Sequence, residues 1–79
     1  MRMQPDDRRE MIVQAALSCA LKDGLSSVTF DTVAMSCPVD TSTRTVRHYF
    51  NTLSSLWLTT AKRDRKRLWC QAVKLGVAK

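Results

Sequence analysis

Residues 25–34 read Leu25-Ser26-Ser27-Val28-Thr29-Phe30-Asp31-Thr32-Val33-Ala34, and residues 38–50 read Pro38-Val39-Asp40-Thr41-Ser42-Thr43-Arg44-Thr45-Val46-Arg47-His48-Tyr49-Phe50, with Leu56 beyond them. Two short amphipathic segments joined by a helix-breaking turn have the pattern of a helix-turn-helix. DNA is therefore the first partner to weigh.

The first of these segments has its own start and stop. Thr29 can accept a bond from an orphan amide as N-cap, with Val28 before it and Val33 in the following turn at hydrophobic-staple spacing. Phe30, Val33, Ala34 and Cys37 form its buried face, and Pro38, which lacks an amide proton and clashes with the preceding turn, forbids continuation. The second segment opens at Ser42, with Asp40 as the alternative cap. Val46, Tyr49 and Phe50 face the core at i, i+3 and i+4, which leaves Thr43, Arg44, Arg47 and His48 on the other side. A helix with an apolar rear and a hydroxyl and guanidinium front suits the major groove. Arginine can bind guanine edges bidentately, and threonine can hydrogen-bond a base or touch a thymine methyl. A solvated surface helix would have the same composition.

Working outward, the preceding helix begins near Pro5, with Asp6 and Asp7 set against the positive end of its dipole. Ile12, Ala15, Ala16, Cys19 and Ala20 make one apolar stripe. Gly24 ends the helix in a positive-φ conformation, and Leu25 supplies the hydrophobic contact behind it. On the far side, a fourth helix restarts near Thr52 and is expected to run unbroken to about Leu75. Leu53, Trp57, Ala61, Leu68, Ala72 and Leu75 lie along one side of it, with Leu56, Leu58 and Trp69 widening the apolar surface. Lys62, Arg63, Lys66, Arg67 and Lys74 gather opposite, and Arg65 intrudes toward the apolar flank. That flank is wider than three small helices can cover, so Leu58, Trp69 and Val73 are the candidate dimer contacts; a frayed tail whose tryptophan rests on its own domain is the alternative.

A chain of 79 residues has room for one small all-α domain, which buries only about 60 % of the surface its unfolded form exposes. Cys19, Cys37 and Cys70 are odd in number, widely spaced and lack any CxxC or CxxH pairing. They indicate neither a disulfide framework nor a zinc site, and a reduced cytoplasm with thiols as small core fillers is expected. Pro5-Asp6-Asp7-Arg8-Arg9-Glu10 stands where a signal peptide would have its apolar core, and no apolar run approaches the roughly 20 residues of a membrane span. Residues 1–61 carry six cations against six carboxylates, whereas residues 62–79 carry seven cations against Asp64 alone, so the net +6 belongs to the C-terminal quarter. Such asymmetry is the signature of contact with a polyanion or acidic surface, although basic helix faces are often only solvated.

These segments resemble the N-terminal DNA-binding domain of the tetracycline-repressor (TetR/AcrR) family over about residues 8–58. Arg9-Glu10-Met11-Ile12-Val13-Gln14-Ala15-Ala16 looks like the family's opening helix. Lys22-Asp23-Gly24-Leu25-Ser26-Ser27-Val28-Thr29 looks like its glycine turn and threonine start, Val33-Ala34 like the isoleucine-alanine pair, and Arg44-Thr45-Val46-Arg47-His48-Tyr49-Phe50 like the recognition helix. Leu56 falls where the fourth helix has its leucine. The chain departs from the pattern at the turn, where Cys37-Pro38-Val39-Asp40 makes the motif two residues longer, and at Leu53, which stands where the family has a phosphate-contacting lysine. The family also continues into an effector-binding, dimerising domain. Its absence from these residues implies no small-molecule effector and places any dimer contact on helix 4 or another exposed surface.

By this resemblance the DNA-contacting set is Thr29, Ser42, Thr43, Arg44, Thr45, Arg47, His48 and Tyr49, with Thr29 and Tyr49 on phosphate. Lys62, Arg63, Lys66 and Arg67 are secondary phosphate candidates. The expected architecture is a single all-α domain over residues 1–79: a three-helix helix-turn-helix plus a basic C-terminal helix over about 52–75. The expected function is a sequence-specific transcriptional regulator, a bacterial or mobile-element repressor acting as a homodimer on a palindromic or repeated site. No catalytic set, metal site or cofactor is indicated, since His48 is the sole histidine and Gly24 and Gly76 make no phosphate loop. The competing expectation is a protein-binding module that uses the apolar flank of helix 4, with the helix-turn-helix only ancestral.

Overall fold

The computed structural model describes residues 4–39 and 41–78. They form five α-helices and no strand: α1 (Pro5–Asp23), α2 (Phe30–Ser36), α3 (Thr43–Tyr49), α4 (Leu53–Arg63) and α5 (Arg65–Lys74), with a single 3-10 turn at Leu25–Ser27. The all-α expectation holds. The helix α1 is the central element, packed against α2, α4, α5 and the 3-10 turn, while α3 docks on α2.

Local chemistry places most of the boundaries. Gly24 takes φ +96°, a backbone that a side chain would strain, and its amide donates to the Ala20 carbonyl at 2.8 Å. The chain then turns so that Leu25 is fully buried. Thr29 caps α2 in a reciprocal arrangement: its hydroxyl accepts from the Thr32 amide at 3.1 Å, and the Thr32 hydroxyl accepts from the Thr29 amide at 2.9 Å. Ser42 caps α3 by accepting from the Thr45 amide at 3.2 Å. The alternative cap, Asp40, lies outside the described residues.

The core gathers Ile12, Val13, Ala16, Leu25, Val28, Val33, Val46, Phe50 and Leu56, closed by Ala61, Leu68 and Ala72. The apolar stripe expected on α1 is the buried one, widened by Val13, with Cys19 half-buried. Thr60, the one buried polar side chain among the described residues, donates to the Leu56 carbonyl one turn back at 2.7 Å. Trp57 is half-buried and donates its indole proton to the Val28 carbonyl at 2.7 Å, tying α4 to the segment that leads into α2.

The unbroken fourth helix is not observed. The chain bends at Asp64, whose backbone (φ −140°, ψ 76°) is non-helical and whose carboxylate accepts from the Arg67 amide at 3.3 Å, so that one residue ends α4 and caps α5. The bend turns Leu68 and Ala72 into the core, where both are buried. It also brings Gln71 to Leu25, whose amide donates to Oε1 at 2.7 Å. A straight rod would leave both apolar side chains in water and the Leu25 amide without this acceptor. The surplus apolar flank is correspondingly smaller than expected. Leu58 and Trp69 are half-buried, Val73 is 44 % exposed, and Arg65 covers Trp69 with its guanidinium 4.9 Å from the ring centroid. Cys70 is exposed, which removes it from the expected core fillers, whereas Cys37 is partly buried and burial pushes its thiol pKa up.

The corner is pinned to α1 by a bidentate ion pair. Arg63 donates to both Glu10 carboxylate oxygens, one at 2.6 Å, and Gln14 donates to the same carboxylate at 2.9 Å. The Arg63 hydrogen bonds, then the Gln14 bond, hold the Glu10 pKa below the usual glutamate value. A carboxyl whose pKa is lowered in the folded state contributes stability that is fully present above the unfolded value near about 4.3 and lost as pH falls through the lowered one. The thermal midpoint is therefore expected to drop on acidification below about pH 4.3, and Glu10→Gln to flatten that drop. An equal acid sensitivity in both proteins would remove Glu10 as its source.

Candidate nucleic-acid interface

The candidate surface is the outer side of α2 and α3, and it rests on the core through α3. Val46 is fully buried, Phe50 is 2 % exposed, and Tyr49 is half-buried. Arg9 of α1 stands over the Phe50 ring, its guanidinium 5.0 Å from the centroid, so the C-terminal end of α3 is held from both faces. Seven residues make barely two turns of helix. Such a helix keeps its form through its cap and its anchors rather than through intrinsic propensity.

The sequence expectation left the front of α3 free, and the structure brings those residues together with two of them engaged. Thr43 is half-buried and its hydroxyl donates to the Asp31 carboxylate of α2 at 2.7 Å. Arg47 is exposed, but its guanidinium stacks on Phe30 at 5.2 Å from the ring centroid. His48 is exposed and meets Tyr49 edge to face at 5.4 Å between ring centres. Thr45 is half-buried, its hydroxyl 3.1 Å from that of Ser42. Arg44 is fully outward, and among the described residues no ion pair or ring contact engages it. Thr29 uses its oxygen as the acceptor in the α2 cap, which leaves its hydroxyl proton, like that of Tyr49, as the donor a phosphate would require. Ser42 is exposed but similarly occupied as a cap.

Two partners escaped the sequence reading. Asp31 fixes the Thr43 hydroxyl, and Phe30, expected only on the buried face of α2, provides the platform for Arg47. Spacing within one helix carries no information on pairs that form across a turn, so neither had a local signal. An open cleft of about 530 Å³ lies beside α3, lined by Asp31, Met35, Cys37, Val39 and Thr43 among others.

The electrostatics of the motif are weak. Between residues 25 and 56, Arg44 and Arg47 are balanced by Asp31 and Asp40. The cations expected to assist lie on another part of the molecule: Lys62 and Arg63 end α4, and Lys66 and Arg67 open α5. Of these, Arg63 is already bonded to Glu10. No group of three or more His, Cys, Asp or Glu side chains disposed to hold a metal occurs among the described residues. No helix among them is long and apolar enough to cross a membrane.

Comparison with known proteins finds no matching family model, no matching curated protein and no matching solved structure.

Proposed function

We propose that this chain is a sequence-specific, double-stranded DNA-binding regulator of transcription, a repressor whose α3 enters the major groove in the manner of the tetracycline-repressor-like proteins it resembles. The observation that carries the reading is the asymmetry of α3: Val46 and Phe50 lock its rear into the core while Arg44 stands outward from a capped helix start. The arrangement suits Arg44 to a base edge and Arg47, held flat on Phe30, to the groove wall. Phosphate contacts orient such a domain, and base contacts choose its site. The Thr43–Asp31 bond also ties α3 to α2, so the two helices meet a duplex as one rigid unit.

Selection of bound duplexes from a random pool tests the proposal. Enrichment of one motif, with its half-sites repeated or inverted, is the expected result. Recovery of unenriched sequence would sink it. Two copies on such a site are part of the same proposal, with the residual outward flank of Leu58, Trp69 and Val73 as their contact. Trp69→Ala is then expected to lower the mass measured by light scattering toward that of one chain, and an unchanged mass would remove this flank from the interface.

A further inference from the structure

We propose that Asp31 reads a base: its carboxylate accepts from the N4 amino group of a cytosine in the major groove and so selects that base within the half-site. The proposal rests on the reading of α3 as the helix that enters the groove, and it names a specificity residue on the neighbouring α2.

Position comes first. Thr43 and Arg47 stand four residues apart on α3 and share one strip of it. Both are met from the first turn of α2: the Thr43 hydroxyl donates to Asp31 Oδ1 at 2.7 Å, and the Arg47 guanidinium lies over the Phe30 ring. The start of α2 therefore stands beside the start of α3, the end of a recognition helix whose residues reach base edges. Asp31 is exposed there, and so is Arg44, the residue that follows its partner Thr43.

Chemistry decides what the carboxylate can meet. Oδ1 takes the Thr43 proton, and among the described residues no cation or further donor engages Oδ2. An ionised carboxylate is acceptor-only, and the Thr43 hydroxyl, with its proton spent on Asp31, presents only lone pairs to a third group. Two adjacent acceptors suit an amino group. In the major groove guanine shows two acceptors, and thymine shows a carbonyl and a methyl. The amino group of adenine stands beside its own N7 acceptor, whereas the cytosine edge is a donor alone. The charge that attracts cytosine thus also disfavours the other three bases.

The same charge gives Asp31 a distinctive signature. Arg44 and Arg47 are the cations of the motif, and Asp31 cancels one of them. Attachment to the phosphate backbone grows with the cations available to it, so a carboxylate on this surface lowers affinity for every duplex except one that offers it a donor. Loss of a phosphate ligand weakens binding to all sequences. Loss of Asp31 does the opposite, with tighter binding to unselected duplex and poorer discrimination.

The test is selection of duplexes from a random pool by the full chain, as wild type and as Asp31→Ala, Asp31→Asn and Thr43→Val, each with its helicity checked by circular dichroism. Wild-type protein is expected to enrich a motif with a fixed C·G pair that Asp31→Ala relaxes, a loss of roughly 5- to 150-fold in preference at that pair, while affinity for unselected duplex rises. Asp31→Asn is expected to move the preference at that pair to adenine, which a carboxamide binds bidentately. Thr43→Val leaves the carboxylate in place and is expected to keep the cytosine. A wild-type motif that Asp31→Ala or Asp31→Asn leaves intact would overturn the proposal alone. So would a Thr43→Val motif that matches that of Asp31→Ala, because Asp31 would then act only by placing α3. Absence of any enriched motif with wild-type protein would instead overturn the reading of α3, and this assignment with it.

Discussion

Phe50→Ala is expected to lower stability by about 3–5 kcal/mol, the usual cost of emptying a fully packed phenylalanine site. For a chain of 79 residues the whole free energy of unfolding is on the order of 4–12 kcal/mol, so the variant should sit near its transition at room temperature. Phe50 has this leverage because it closes α3 and reaches the core at the same residue. Its amide completes the last turn by donating to the Val46 carbonyl at 3.0 Å, its ring is 2 % exposed, and Arg9 covers the outer face. Urea titration gives the number, with Phe50→Leu, which refills most of the volume, as the control that should recover over half of it. A loss below about 1 kcal/mol would mean that the ring is not seated as described. Because α3 has so little stability of its own, partial loss of this anchor should abolish DNA recognition before it abolishes the fold.

Arg44→Ala is expected to cost about 1–3 kcal/mol of discrimination at one base position, equivalent to roughly 5- to 150-fold in relative affinity, with other positions keeping their preferences. Competition between the best duplex and its single-base variants measures this directly. Arg47→Ala is expected to act more evenly across sequences, since its guanidinium is already stacked on Phe30 and so would meet a duplex in a fixed pose. If Arg44→Ala weakened every duplex by the same factor, Arg44 would be a phosphate ligand and another residue would have to choose the site.

The elements legible in the sequence were those written locally. Thr29 before Phe30, Ser42 before Thr43 and Gly24 after Asp23 each mark a helix end through chemistry that acts within one turn, and all three mark it in the structure. The period of Ile12, Ala15, Ala16, Cys19 and Ala20, and that of Val46, Tyr49 and Phe50, selected faces that are buried except at Cys19 and Tyr49, which are half-buried. The bend at Asp64 was not legible because the apolar spacing from Leu53 through Ala61 to Leu68 and Ala72 continues across it. Periodicity reports a face, and both halves keep theirs when the rod folds. Aspartate is a favoured N-cap and was the available signal, but among five basic neighbours between residues 62 and 67 it reads first as a lone counter-charge. On the candidate surface the composition of α3 was readable, whereas its engagement was not. The Thr43–Asp31 bond and the Arg47–Phe30 ring contact join residues 12 and 17 positions apart across the turn between α2 and α3.

The bond between the Leu25 amide and Gln71 spans 46 residues, and it has a bearing on how the protein comes into being. A nascent chain that has emerged only as far as Arg63 can assemble α1 to α4, but the groove that receives Leu68 and Ala72 is still wet and the Leu25 amide still points into it. Final closure waits until residues 65–74 have left the ribosome. Translation of α5 is thus the step that seals this core, and premature termination near Asp64 should yield a product that is cleared by proteases rather than a shorter working protein.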